Sequence, residues 1–326
     1  MPTTPVEFVT LPEIENAATR LASVAVRTPL VPFPRLTPAV WIKPESLQPT
    51  GAFKLRGAYN AIVADIERAR EHGVVAHSSG NHGHAVAYAA AQLGVHAVVV
   101  VPQNAPKLKT DAITYYGAEL VSVKPTLEAR VTTMNELAAA HGYVKVPPFD
   151  DRGVIAGQGT IGLEIVADCA ADDPVVVVPV SGGGLISGIA AAVKRLRPQA
   201  TVIGVEPELA ADARDSLLRG ERVAWPASDV QRTIADALRV EEIGELNFAH
   251  IREFVSGFVT VTEQQMLTAI ARLAREARLV AEPGGAAAVA ACLFRDNELP
   301  ADRPRVAVLS GGNIDPALLA RVLAMD

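Results

Sequence analysis

Six short runs carry the strongest constraint on this chain: residues 74–77, 97–101, 120–123, 175–180, 202–205 and 305–309 are rich in valine, isoleucine and alanine, with few polar interruptions. A strand exposed on one face alternates apolar and polar residues. A nearly continuous apolar strand needs cover on both faces, which is the situation in parallel sheets wound by helices. Amphipathic stretches separate the runs. Leu55, Ala58, Ile62 and Ile66 recur at three- and four-residue spacing, and similar stripes cover 84–93, 127–140, 185–196 and 266–279. Each predicts a helix with one apolar face. Alternating strand and helix predicts an α/β fold with parallel sheets.

The 326 residues suit two lobes or one large α/β unit. Val146, Pro147, Pro148, Phe149, Asp150 and Asp151 are rich in turn formers and break the alternation, and a second crossing falls near Glu71, His72 and Gly73. Residues 73–149 are therefore expected to form a small mobile domain inserted into a larger one made of 1–72 and 150–326. A net charge of −6 argues against a nucleic-acid partner. No stretch reaches the roughly 20 apolar residues that would span a bilayer. The first ten residues lack a basic region followed by an apolar run. Cys169 and Cys292 stand far apart and predict two buried or half-buried thiols in a reducing compartment, so the expected location is cytoplasmic.

Four strand ends followed by glycine and small polar residues mark places where α/β sheets bind ligands. In the first, Lys54 follows a turn and opens a helix, where a positive charge opposes the macrodipole. Such an amine is more easily deprotonated, as a Schiff base requires. By position alone it is also a candidate solvated surface lysine. In the second, Ser78, Ser79, Gly80, Asn81 and His82 follow the 74–77 run and form either an anion cradle for a carboxylate or an ordinary capping turn. His77, His82 and His84 lack a nearby carboxylate or cysteine to complete a metal set. In the third, Ser181, Gly182, Gly183, Gly184 and Leu185 lie between a strand and a helix. They let a phosphate approach the backbone, or serve as a flexible turn. In the fourth, Ser310 ends the last run and could face a ring nitrogen or cap a helix. Separately, Glu206 and Asp212 are either a pair for a hard cation or two unrelated acids.

Together these motifs resemble the fold type II pyridoxal-phosphate enzymes, specifically the serine/threonine dehydratase and serine racemase family. The resemblance rests on TGAFKLRGAYN (50–60), SSGNHG (78–83), GQGTIGLE (157–164), SGGGLISG (181–188), GVEP (204–207), IAD (234–236), EPGGA (282–286) and LSGGN (309–313). They stand in the family's order across nearly the whole chain. The chain departs from the pattern at Ala52, where serine is usual, and at Ser181, which replaces the first of four glycines. It departs again at His84, in place of glutamine, and at EPGGA, in place of EPSGA. SSGNHG also points away from the sulfhydrylases, which usually carry TSGNTG.

The resemblance implies a tryptophan synthase β-like architecture of two lobes, each a mostly parallel sheet wound by helices, and a homodimer. It implies pyridoxal 5′-phosphate bound to Lys54, with Phe53 near the ring, Asn81 on the ring hydroxyl, Ser310 at the pyridine nitrogen, and Ser181 through Leu185 (including Gly182, Gly183 and Gly184) on the phosphate. Ser78, Asn81 and His82 would line a substrate carboxylate site. Ser79 would be the acid/base on the opposite face, as in the racemases. Glu206, Asp212 and the Ala210 carbonyl would hold Mg²⁺ or Ca²⁺. A neutral hydroxyl at the ring nitrogen makes a weaker electron sink than a carboxylate partner would, which favours prompt loss of a β-hydroxyl. The expected activity is dehydration of L-threonine or L-serine, a small β-hydroxy amino acid, to a 2-oxo acid and ammonia. Serine racemisation, dehydration of 3-hydroxyaspartate, and a catalytically silent ligand-binding role are the alternatives.

Overall fold

The computed structural model describes residues 7–325. Residues 1–6 and 326, part of the stretch read for a secretory signal and the two ends of the larger expected domain, lie outside the described residues. Among the described residues, ten strands follow in chain order: β1 (Val31–Phe33), β2 (Val40–Pro44), β3 (Val74–His77), β4 (Ala97–Pro102), β5 (Glu119–Val123), β6 (Val144–Lys145), β7 (Val175–Pro179), β8 (Thr201–Pro207), β9 (Gly257–Val261) and β10 (Arg305–Leu309). They form a six-stranded sheet of order β1-β2-β10-β7-β8-β9 and a four-stranded sheet of order β5-β4-β3-β6. The β1–β2 pair is antiparallel and the other pairs are parallel. The fold is α/β with two parallel-sheet domains, the class that the apolar runs predict.

The unbroken valines of β7 are explained by what covers them. Val175 and Val177 pack with Ala287, Ala288 and Ala291 of the helix Pro283–Phe294. Val176 and Val178 pack on the other side with Ile186 and Ile189 of the helix Gly184–Leu196. In the four-stranded sheet, Val74, Ala76 and Val99 meet Ala85 and Val86 of the helix Asn81–Leu93, while Val75, Val98 and Val100 meet Met134 of the helix Leu127–His141. Both sheets are therefore buried on two faces.

The helix Lys54–Ala64 is mounted on buried charge. Arg56 is 1% exposed; its Nε donates to Glu45 Oε2 at 2.8 Å and its Nη1 to Glu164 Oε1 at 2.7 Å. Lys43 is fully buried, and its Nζ donates to Glu164 Oε2 at 2.5 Å. Two cations and two carboxylates thus neutralise each other between β2, this helix and the helix Arg152–Asp168. Charges so far from water persist only when paired.

Three expected boundaries shift. Asp65 leaves the helical region (φ −129°, ψ 46°), so the stripe that runs to Ile66 is split between Lys54–Ala64 and Ile66–His72. The 266–279 stripe is the helix Glu263–Arg272 followed by a π-helical turn, Leu273–Ala277, which Arg278 ends at φ 61°. β8 extends beyond 202–205 and takes in Glu206. Cys169 and Cys292 are both buried and unbridged.

Candidate active site

The C-terminal ends of strands from both sheets converge on one cleft. Four helices begin there, Lys54–Ala64, Asn81–Leu93, Gly184–Leu196 and Pro283–Phe294, and none has a side-chain hydrogen bond at its N-cap. Other helices are capped by their own sequence, among them those that follow Thr10, Thr126, Asp151 and Thr262. Uncapped N-termini present free N–H groups and the positive end of the helix dipole, a setting for anions.

Lys54 is half-buried, and its Nζ donates to the Pro148 carbonyl at 2.6 Å. The Phe53 ring centroid lies 5.2 Å from the same nitrogen. Both contacts favour the ammonium form, yet loss of water outweighs them and lowers the pKa to about 8. The sequence reading attributes an easily deprotonated amine to the helix start; in the structure, burial is the cause. The turn before Lys54 is tied to the end of β10. Phe53 N donates to Ser310 O at 3.0 Å, Gly312 N donates to Gly51 O at 2.8 Å, and Ala52 bridges Gly311. This places the buried Ser310, 5% exposed, beside the lysine's turn. Ser310 caps no helix: Asp315 does so for Pro316–Leu323, accepting from Ala317 N and Leu318 N.

Asn81 spans the two sheets. Asn313 Nδ2 donates to the Thr50 carbonyl at 2.9 Å and to Asn81 Oδ1 at 2.8 Å. Asn81 Nδ2 donates to Glu282 Oε1 at 2.6 Å. The Thr50 carbonyl can only accept, so the direction of the whole chain of bonds is fixed. The second N–H of Asn81 is left for another acceptor. Glu282 is buried, and desolvation, with the charge of Asp236 adding to it, raises its pKa to about 7. Ser78 Oγ accepts from Gly80 N at 3.2 Å, and Ser79 is half-buried beside it. His82 is buried with its Nε2 2.8 Å from the Val146 carbonyl. His84 stacks on Tyr116, and His77 Nδ1 is buried without a partner. The three histidines do not converge, and among the described residues there is no group of three or more His, Cys, Asp or Glu that could hold a metal.

The glycine loop is shaped by contact. Gly183 has φ +95°, and a β-carbon there would stand 2.8 Å from the Asn247 β-carbon. At Gly182 a β-carbon would stand 2.3 Å from the Phe149 ring. Side chains are thus excluded, and the backbone of Gly182, Gly183 and Gly184 lines the opening of the helix that continues through the buried Leu185. The half-buried Ser181 precedes it.

Glu206 and Asp212 meet beyond this loop. Glu206 accepts from Ala213 N at 3.1 Å and from Arg214 N at 2.8 Å, the first turn of the helix Asp212–Arg219. Both oxygens of Asp212 are buried without a partner. Desolvation, with repulsion from Asp212, holds Glu206 well above the carboxylate range, and desolvation pushes Asp212 to about 7. Ala210, 1% exposed, sits on the turn between them.

The sequence reading missed Glu282, Asn313, Pro148, Phe149 and Asn247. Glu282 and Asn313 stand inside the quoted EPGGA and LSGGN motifs and were open to notice there. The others act through contacts between segments distant in sequence.

Comparison with known proteins agrees with this fold. The family model described as pyridoxal-phosphate dependent enzyme matches residues 22–311. The chain is 41% identical to the L-threonine ammonia-lyase of Thermotoga maritima over 97% of this chain and 78% of that protein. It is 36% identical to the L-threo-3-hydroxyaspartate ammonia-lyase of Saccharomyces cerevisiae, over 96% of this chain and 95% of that one. The structure of maize serine racemase superposes with a TM-score of 0.91 at 32% identity, covering 97% of each chain.

Proposed function

The chain belongs to the pyridoxal-phosphate-dependent enzyme family, and we propose that it is an ammonia-lyase that removes the β-hydroxyl of L-threonine or L-serine, giving a 2-oxo acid and ammonia. The observation that carries this reading is the pairing of a lysine amine, lowered to about 8 by burial, with a buried neutral hydroxyl, Ser310, at the adjoining strand end. The residues fit the cofactor. Contacts with Phe149, Ile243 and Asn247 leave no room for a side chain on any of the three glycines, so only their backbone is available to a phosphate; the helix behind them is uncapped, and the second N–H of Asn81 is free for the ring oxygen.

Pyridoxal phosphate, when bound, supplies an electron sink for charge that develops at the substrate's α-carbon. Lys54 Nζ would hold the cofactor, and its neutral amine would take the proton from the substrate's α-carbon. Ser310 Oγ would offer the ring nitrogen no charge, which would keep the sink modest and favour early departure of the β-hydroxyl. Ser78, Asn81 and His82, at the uncapped start of Asn81–Leu93, bind the substrate carboxylate. Ser181 through Leu185 would bind the phosphate, and Phe53 would flank the ring. Residues 73–149 act as the mobile domain. They close onto 1–72 and 150–326 through the Asn81–Glu282 and Asn81–Asn313 bonds and the Lys109–Asp236 ion pair, and closure excludes water. The unpartnered oxygens of Asp212, with Glu206 and the Ala210 carbonyl, suit Mg²⁺ or Ca²⁺. A cytoplasmic homodimer completes the proposal.

Racemisation is the second reading, because Ser79 stands on the same loop as Asn81, where an opposite-face acid would be needed. Purified protein with pyridoxal phosphate should be given L-threonine, L-serine and 3-hydroxyaspartate, with oxo acid and the chirality of recovered substrate both measured. Oxo acid from threonine or serine supports the proposal. D-serine without oxo acid replaces it with racemisation, and oxo acid from 3-hydroxyaspartate alone moves the substrate to an acidic side chain.

A further inference from the structure

Three consecutive residues of the segment joining the two sheets each touch a different part of the cleft. The Pro148 carbonyl accepts from Lys54 Nζ at 2.6 Å. Phe149 lies against the glycine loop: a β-carbon on Gly182 would stand 2.3 Å from its ring Cδ1, and one on Gly184 would stand 3.1 Å from its Cα. Asp150 accepts from Glu245 N at 3.1 Å and Leu246 N at 3.0 Å, capping the helix Glu245–Phe254 from a distance in sequence. That helix returns to the loop. Asn247 Nδ2 donates to the Gly182 carbonyl at 2.8 Å, and Gly244 N, just before the helix, donates to the same oxygen at 3.2 Å.

Gly182 is therefore held twice, by an aromatic ring against its α-carbon and by two donors on its carbonyl. Both holds originate in residues 149 and 150. A peptide unit is planar and trans, so fixing the Gly182 carbonyl also fixes the Gly183 N–H, pointing the opposite way. An anion site made of backbone amides has no other means of aiming its donors. Preorganised donors bind more tightly than ones that must be ordered on binding.

We propose that Phe149 and Asp150 are positioning residues for a phosphate monoester at Gly182–Gly184, so that the joint between the domains is also the support of the phosphate cradle. This rests on the proposed cofactor role of the loop. A purely structural role for the pair would weaken every ligand of the cleft alike, whereas a role in aiming the loop amides acts only on the phosphate.

The test uses purified apoprotein titrated with pyridoxal 5′-phosphate and, separately, with pyridoxal, which lacks the phosphate, following visible absorbance. Phe149→Ala and Asp150→Ala are each expected to weaken pyridoxal phosphate by about tenfold or more while pyridoxal stays within about twofold, and Phe149→Leu to recover most of the loss. Asp150 is exposed, so its variant keeps the test alive if Phe149→Ala fails to fold. Equal losses for both ligands, or an unchanged affinity for pyridoxal phosphate, would overturn the inference. Failure of the wild-type protein to bind pyridoxal phosphate would instead overturn the cofactor reading beneath it.

Discussion

Asn81 Nδ2 donates to Glu282 Oε1 at 2.6 Å, joining the helix that follows β3 in the four-stranded sheet to the loop before the central helix of the six-stranded one. Burial raises Glu282 to about 7, the neighbouring Asp236 adds to this, and the Asn81 bond and Lys109 oppose it. Between its ordinary value of 4.5 and about 7, the folded protein holds a proton that the unfolded chain has lost. Stability from this group is therefore full below pH 4.5 and declines as pH rises through 7. Glu282→Gln keeps the acceptor for Asn81 and removes the titration. Thermal unfolding should show the variant gaining on wild type by on the order of 2 kcal/mol at pH 8 relative to pH 5. A pH-independent difference would mean that Glu282 is ionised in the fold.

Lys54 should reveal its burial kinetically. Only the neutral amine can attack the cofactor aldehyde, and the lysine sits at about 8 rather than the ordinary 10.5 because it has lost water. The rate at which apoprotein captures pyridoxal phosphate should rise with pH and reach half its limit near pH 8. Stopped-flow absorbance measures this directly. Lys54→Ala should show no visible band of attached cofactor at any pH, while retaining phosphate-dependent affinity through the glycine loop.

His82 and His77 predict sensitivity to acid. Burial lowers His82 to about 3 and His77 to about 4, each from 6.5, with nearby positive charge (Lys54 and Arg130 respectively) adding to it. The Val146 carbonyl can only accept, so His82 Nε2 carries a proton; this bond opposes the downward shift, and burial outweighs it. Below pH 6.5 the unfolded chain binds protons that the folded one refuses. The stabilisation is complete above 6.5 and is lost as pH falls, at up to ~1.4 kcal/mol per pH unit for each group. Urea unfolding of His82→Gln between pH 6.5 and 4.5 should show a slope against pH that is shallower by about one such increment. An unchanged slope would place the imidazole's proton uptake elsewhere.

How much of this was legible in the sequence depends on what each segment buries. β4 and β7 declared themselves because every valine in them is covered. β1 and β2 did not: one is a three-residue strand centred on Pro32, and the other carries Lys43, whose burial makes sense only opposite Glu164. The helix Pro283–Phe294 is buried from Pro283 through Cys292 and shows no stripe, because it has no exposed face. At the site, Lys54, Asn81 and the glycine loop followed from motif order. Glu282 was visible as a letter in a motif, but its partner lies 201 residues away. Phe149 read as part of a turn, and only its contact with Gly182 gives it a place in the cleft.

The buried charges under the helix of Lys54 give the sharpest prediction for stability. Arg56 satisfies Glu45 through Nε and Nη2 and Glu164 through Nη1 and Nη2. Glu45 is fully buried, and its other donors are Thr28 Oγ1 and Gln48 Nε2. Arg56→Leu would remove the donors of Glu45 from this helix and leave two carboxylates, Glu45 and Glu164, to share the single cation Lys43, and breaking a buried pair in this way costs about 3–5 kcal/mol. Glu45→Gln leaves excess positive charge, but Arg56 and Lys43 still share Glu164, so its cost should be smaller. The double variant Arg56→Leu, Glu45→Gln removes one charge of each sign and should be more stable than Arg56→Leu alone, because the buried carboxylate has gone. Denaturant unfolding of the three variants decides this. If the double variant is instead less stable by the sum of the two single losses, the two residues do not act as a pair, and the mount of Lys54 rests on packing instead of charge.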